Sequence, residues 1–445
     1  MAYLHSRLTL AATLLLCSTV AFALPFSSFD TRSMAMGGAG VAVGSADVAP
    51  LFNPALLSVS KESDKFSLIL PTIGIRAADP DNLLDSIDKF QSGNYVNNLT
   101  NSITTLNNAI AVNDFAAMRA AATTVGATTL PAVSNQLATL SNKPITIDGG
   151  AATVVSLPSR KLGFAFYANG VVSTGGLFLY KDKATLDNLA LHASCLSTAA
   201  DATAMNACNT TYGGGSNPNF NSSTLQSGIN FRGVTLGEIG FSISRQFTFT
   251  NREIALGISP KIIKATLFDV PINVNNSKQI NLTGADYTAE YNIMNFDLGA
   301  AKIHDNGWRT GLVIKNIIPY TLEFKSAPTP GATPVPNGNT IKISPQARFG
   351  ISHATSWSTA ALDVDLTRNN PAGLEKASQY ISLGGELNAF EWAQLRAGYR
   401  IDIVDNARNV TSVGLGFSPF GVHADFAVAG NASEIGASFQ LGFRY

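Results

Sequence analysis

Between Ile435 and Tyr445 the odd positions Ile435, Ala437, Phe439, Leu441, Phe443 and Tyr445 are apolar, while Gly436, Ser438, Gln440, Gly442 and Arg444 are small or polar. A period of two over that length predicts a strand with one greasy and one wet face. The alternation recurs upstream. Ile341, Ile343, Ala347, Phe349 and Ile351 oppose Lys342, Ser344, Gln346, Arg348 and Gly350, and Leu362, Val364 and Leu366 oppose Asp363 and Asp365. Leu395, Ala397, Tyr399 and Ile401 oppose Gln394, Arg396, Gly398 and Arg400, and Val422, Ala424, Phe426 and Val428 oppose His423 and Asp425. Extended along the chain, the pattern predicts strands near 65–76, 144–157, 160–180, 223–246, 253–268, 287–302, 308–324, 340–352, 357–367, 378–389, 391–402, 409–418, 420–430 and 433–445. That is about fourteen, the third and fourth long enough to bend or divide.

The gaps between these strands alternate in length. Long gaps at 77–143, 181–222, 269–286 and the Pro/Gly-rich 325–339 follow strands one, three, five and seven, and gaps of a few residues follow the even-numbered strands. Short turns at one end and long loops at the other are the mark of an outer-membrane barrel, and a soluble β-sandwich supplies no reason for them. The expected fold class is therefore all-β: a transmembrane antiparallel β-barrel of about 14 strands, spanning 61–445. The first long gap is helical in pattern. Leu83, Ile87 and Phe90, then Leu99, Ile103, Leu106 and Ile110, then Phe115, Met118, Ala122 and Val125 fall at helical spacing, which predicts a helical extracellular insert over 79–142 shielding the barrel mouth.

Composition narrows the setting. Lysine and arginine number 30 against 30 acidic residues, so the chain lacks the basic surface that nucleic-acid binding requires. Arg7, the uncharged run Leu8 to Phe22, and Ala21-Phe22-Ala23 match a signal peptide over 1–23. Beyond it no stretch of about 18 uncharged apolar residues remains for a membrane helix, so a membrane protein of this sequence must cross as a closed barrel. An exported chain passes an oxidising compartment. Cys195 and Cys208, in an outer loop over 181–222, are expected to close that loop as a disulfide; metal ligation with nearby His192 and two free thiols are the alternatives.

One segment before the first strand is neither strand nor obvious helix: "MAMGGAGVAVGSADVAPLFNPALLS", Met34 to Ser58. It is not a phosphate cradle, because Gly38, Gly40 and Gly44 miss the required spacing and no lysine lies between Arg32 and Lys61. A barrel of fourteen strands is wider than its own side chains fill, and a compact, nearly uncharged, Gly- and Ala-rich segment suits insertion as a hatch or plug over residues 24–60.

That segment, followed by a Gly-rich barrel, resembles the FadL-like outer-membrane transporters of fatty acids and hydrocarbons, whose hatch carries an Asn-Pro-Ala turn. Asn53, Pro54 and Ala55 stand in that place. The hatch spacing and the helical insert resemble more closely the related barrel proteins labelled conjugal transfer protein TraF. The thioredoxin-like protein also called TraF is a different molecule, and this chain lacks its Cys-x-x-Cys. The resemblance implies an outer-membrane location in a Gram-negative bacterium, contact with outer-membrane lipid, and a passage for apolar small molecules with the hatch either as a moving gate or as a fixed plug. The alternative it implies is a structural or assembly role beside conjugation or secretion components. A kinked third strand also belongs to the resembled transporters. Asn169-Gly170 and Gly175-Gly176 are the candidate kinks here, since glycine in a strand often marks a bend.

Catalytic and cofactor chemistry find no support. His192, His304, His353 and His423 lie apart, without metal spacing or a Gly-x-Ser-x-Gly elbow, so no enzyme activity, cofactor or metal is expected. Arg348, Asp363, Asp365, Glu386, Arg396, Arg400 and Arg444 are expected to face the lumen, either pairing across it and holding the plug or offering an arginine to a substrate carboxylate.

Overall fold

The computed structural model describes residues 29–59, 65–220, 225–249, 252–273, 287–325, 339–370, 377–389 and 392–445. The expected signal peptide lies outside them. Two short helices, α1 (Thr31–Ala35) and α2 (Ala49–Phe52), precede strand β1 (Ser67–Ala78). Four helices follow, α3 (Leu83–Ser92), α4 (Tyr95–Ala111), α5 (Phe115–Thr124) and α6 (Leu130–Leu140), then β2 (Pro144–Leu157) and β3 (Gly163–Leu179). After α7 (Lys183–Leu196) and α8 (Ala202–Gly213) come β4 (Gly228–Phe249), β5 (Arg252–Asn273), β6 (Thr288–Ile303), β7 (Trp308–Lys315), β8 (Tyr320–Glu323) and β9 (Thr340–Ile343). The chain ends in β10 (Gln346–Ala354), β11 (Ser358–Asp365), β12 (Tyr380–Ala389), β13 (Ala393–Asp402), β14 (Val410–Phe417), β15 (Val422–Gly430) and β16 (Glu434–Arg444).

Fourteen of these strands close into one antiparallel barrel, β1 pairing with both β2 and β16 and β7 with β10. Closure leaves no free edge, which is what a sheet in lipid requires. The alternation works as expected. In β16, Ile435, Phe439 and Leu441 point out, while Ser438 and Gln440 are buried inside; in β14 and β15, Leu415 and Phe426 point out against buried Ser412 and Asp425. Trp308, Trp357, Trp392 and Tyr445 lie exposed at the short-turn end, where amphipathic rings suit the lipid–water boundary. Strands β4 and β5, 22 residues each, run about 70 Å at 3.3 Å per residue against an apolar band about 25 Å tall, so they stand well clear of the membrane.

The strand expectation needs two corrections. The stretch 308–324 divides into β7 and β8, and 340–352 into β9 and β10; β8 and β9 pair only with each other. Asn316 has positive φ just past β7, and Pro319 and Pro345, which carry no N–H for a ladder, stand where the two stretches leave the wall. No register shift marks the expected kink positions in β3. β3 keeps an unbroken register with β2 and with β4 through Asn169-Gly170 and Gly175-Gly176, whereas the register shifts in β1 between Ile69 and Thr72, around Pro71. Gly176 serves packing instead, for a Cβ there would press on Ile145, Ile229 and Phe231.

The helical insert is present, and its core is anchored on the outer face of the wall. Helices α3–α8 form one unit with a shared apolar core that includes Leu99, Leu106, Met118, Val133, Leu137, Leu186 and Leu196, and Cys195 and Cys208 are joined as a disulfide between α7 and α8. That core closes on Ile145, Phe178, Ile229 and Phe231, whose strand parity is that of the outward-facing Ile147, Phe166, Ile239 and Phe241. The unit therefore packs on the outside of the wall, where β2–β4 rise above the lipid. Cover on the inside comes from the β8–β9 hairpin. Its Leu322, Ile341 and Ile343, with the adjoining Phe324, pack on the inward-facing Val234, Ile263, Ala265, Leu267 and Ile293.

Candidate functional site

Residues 29–59 run inside the barrel, with most side chains buried. Asp30 caps α1 by accepting from the Ser33 N–H at 2.7 Å, and α2 passes through Asn53 into a 3-10 turn, Pro54–Ser58, with proline at the first position, where its missing donor costs nothing. Gly37 and Gly38 both have positive φ, which lets the chain reverse between α1 and Val41.

The segment meets the wall through two kinds of contact. The first is close approach at inward-facing glycines. A Cβ on Gly257 or Gly299 would strike Asn53, Pro54 or Ala55; on Gly350, Val41 and Ala42; and on Gly384 or Gly398, Met36 and Gly37. Glycine is thus rich on both sides of the contact for one reason: two backbones pack together with no side chain between them. The second kind is hydrogen bonding to the segment's free backbone groups. The Gly40 and Val41 N–H groups donate to Asp363 Oδ2 at 2.7 and 2.9 Å, and Ser412 Oγ donates to the Ala35 carbonyl at 3.0 Å. Lys315 Nζ donates to the Leu51 carbonyl at 2.8 Å, and Ser352 Oγ to that of Ala42 at 3.2 Å.

Asn53 is the central tie. Fully buried, it donates from Nδ2 to the Val41 carbonyl at 3.0 Å and to the Ala300 carbonyl of β6 at 3.1 Å, while Oδ1 accepts from the Ala55 N–H at 3.1 Å. One side chain joins both halves of the segment to the wall. Pro54 and Ala55 provide the turn packed beside it.

The seven charges expected in the lumen all line it. Arg348 pairs with Asp365 at 2.6 Å, Arg396 bridges Glu386 at 2.7 Å and Asp425 at 2.5 Å, and Arg400 pairs with Glu434 at 2.7 Å. Three partners lie in the segment itself and were not singled out from the sequence. Arg32 grips Glu386 through two bonds of 2.8 Å, and Asp47 receives Arg444 at 2.7 Å with His423 at 3.5 Å. Asp30 is the third acidic or basic group carried inward. Burial pushes its carboxyl up to about 7; the Ser33 N–H works against that, and Asp47 and Asp425 add to it. Burial would also raise Asp47, but Arg444 and His423 outweigh it and hold the carboxyl well below its ordinary range. Of the other expected site residues, Asn169 donates to Glu238 at 3.3 Å, while Gly170, Gly175, Gly176 and the Cys195–Cys208 bond lie away from the segment, in β3 and in the helical unit.

The segment parts the lumen into two spaces. Toward the long loops is a cavity of about 100 Å³ lined by Phe29, Met34, Phe52, Tyr380 and Val410 beside Arg76, Arg348 and Arg400. Toward the short turns is one of about 600 Å³ with a mixed polar and apolar lining, open beside Thr355, Ser418 and Tyr445.

A family model described as "F plasmid transfer operon, TraF, protein" matches residues 50–365, well over half the chain. The chain belongs to that family. No curated protein matches it. Similar solved structures include the Ralstonia pickettii toluene transporter TbuX, 12% identical over 96% of this chain and 99% of that one with a TM-score of 0.47. The P. putida toluene transporter TodX is 12% identical over 95% and 99%, with a TM-score of 0.45, and a Pseudomonas aeruginosa FadL homologue is 12% identical over 96% and 99%, with a TM-score of 0.46. The family and the closed barrel with its apolar outer band make this a protein of outer-membrane type.

Proposed function

We propose that the protein is a gated passage for hydrophobic small molecules in the outer membrane of a Gram-negative bacterium, with residues 29–59 as the gate. The observation that carries this reading is the way the lumen is blocked. The obstruction is a separate segment held by glycine contacts, three small apolar clusters shared with the wall, hydrogen bonds and ion pairs, with a cavity on each side of it. Such bonds are individually worth about 1 kcal/mol and exchange readily with water or solute, so the segment can be released without breaking the wall. The outer cavity sets apolar side chains beside three arginines, a lining suited to a mainly apolar solute oriented by a few polar groups.

Uptake of labelled dodecane and labelled toluene by cells with and without the gene tests this. Deletion lowers uptake, the native chain restores it, and Asn53→Ala changes it at equal barrel content of the membrane. Unchanged uptake of both solutes on deletion overturns the reading. The family's name favours a second one, an assembly role in plasmid transfer. Mating efficiency in the same strains tests that role, and a deletion that lowers mating while sparing uptake selects it.

A further inference from the structure

The four side-chain carboxylates that line the larger cavity are all engaged. Glu386 binds Arg32 and Arg396, Asp425 binds Arg396, Asp47 binds Arg444 with His423, and Asp30 caps α1. Arg309 lines the same cavity without one. It stands on the inward face of β7, two residues before Gly311, which faces Val41, and is half-buried. Among the described residues its guanidinium has no ion-pair or hydrogen-bond partner, and the charge acting on it is the like charge of Arg32. A barrel that pairs its other cavity-lining arginines, Arg32, Arg396 and Arg444, leaves this one with five donors open toward a space large enough for a solute. Ser352 stands directly across the β7–β10 ladder from it, and the hydroxyls of Ser356 and Thr359 line the same cavity. A guanidinium with no carboxylate of its own, in a cavity that hydroxyls also line, is the anchor an oxyanion site needs.

We propose that Arg309 is the anchor of an oxyanion-binding site in the cavity on the short-turn side of the plug, taking the carboxylate or phosphate head of a small amphipathic solute. The inference uses the passage reading only for direction: a solute that has passed the plug meets Arg309 on the short-turn side. The site itself is independent of whether the plug opens. Both head groups present the same chemistry, two or more anionic oxygens able to meet the guanidinium fork, and differ in charge and shape.

Equilibrium dialysis of the purified full chain against hexanoate, hexyl phosphate and neutral 1-hexanol separates the possibilities. At least one of the two anions binds the native protein, Arg309→Gln weakens that binding tenfold or more, Arg309→Lys restores part of it, and hexanol is indifferent to both substitutions. The tighter anion identifies the head group. Lys89→Gln, which removes an exposed charge on α3, leaves anion binding unchanged. Heat-modifiable migration of each variant reports that the barrel has formed. Native-like anion binding by Arg309→Gln overturns the proposal, as does failure of both anions to bind the native chain, or an equal loss of hexanol. Anion binding in a protein whose deletion leaves uptake unchanged retires the passage and keeps the site.

Discussion

Leu99, Leu106, Met118, Val133 and Leu137 of the helical unit are buried against one another, whereas Met36, Asp47 and Asn53 of the lumenal segment are buried against the barrel. Both bodies are attached to the same wall by different forces. The outer unit has a continuous apolar core that extends over Ile145, Phe178, Ile229 and Phe231, and a disulfide inside it. The inner segment has three small apolar clusters, each shared with the wall, and its remaining ties are polar. Apolar burial is non-directional and lost only when large areas part, whereas a hydrogen bond or ion pair is lost within about an ångström and can be replaced by water. The unit outside is held mainly by apolar burial, and the segment inside by a larger share of directional polar contacts.

The largest test of that contrast is Asn53→Ala. Three buried hydrogen bonds go, and the Val41 and Ala300 carbonyls and the Ala55 N–H lose a partner at each end of the segment, a cost of about 4 kcal/mol. With Ala39→Cys as a buried reporter, maleimide labelling rises by several hundredfold or more, while proteolysis of the helical unit is unchanged. Equal loosening of both bodies breaks the comparison. The converse substitution, Cys195→Ser with Cys208→Ser, opens a loop of 13 residues and costs the helical unit about 3 kcal/mol. Proteolysis between α7 and α8 rises, and labelling at the Ala39→Cys reporter does not.

These bodies were unequally legible in the sequence. The period-two pattern located the barrel strands because each inward residue meets polar partners and each outward one meets lipid, so side-chain type records the face. Helical spacing found α3–α5 for the same reason, yet it records only that one face is apolar. It does not say which surface that face covers, and the insert settled outside the wall. The division at Pro319 and Pro345 was written in the chain, but the apolar Ile341 and Ile343 fit an inward-folded hairpin as well as a barrel strand. The glycines of β3 are ambiguous in the sequence because a missing Cβ can serve close packing as readily as a bend, and at Gly176 a Cβ would meet Ile145, Ile229 and Phe231. Asn53 stood out because its turn resembles a known one, whereas Asp30, Arg32, Asp47 and Arg309 did not. A single charge in an irregular segment, or at the end of a short strand, carries no period.

The smallest effect concerns Asp30, and it gives the inner segment a pH dependence of its own. Its carboxyl is raised by burial to about 7 in the plugged state, against an ordinary value near 3.8 once released. The plugged state therefore holds a proton that the released state gives up. Plug stability is highest in this respect below about pH 4 and falls as pH rises, by about 1.4 kcal/mol per pH unit at first and less as pH nears 7, which makes about 2 kcal/mol between pH 5 and 7. Asp47 has the opposite sign. Held below its ordinary range, it stabilises the plug above about pH 4 and that contribution is lost in stronger acid. Labelling of the Ala39→Cys reporter is thus slowest on the mildly acidic side of neutrality and rises about thirtyfold from pH 5 to 7, after correction for the thiol's own ionisation. Asp30→Asn retains a side-chain oxygen to cap Ser33 and removes the titration, so the corrected rate becomes flat over that range. The slope surviving in Asp30→Asn would move the titrating group elsewhere in the lumen. A flat profile in the native chain would mean that Asp30 stays solvated, and the polar ties of the segment would then be looser than those contacts imply.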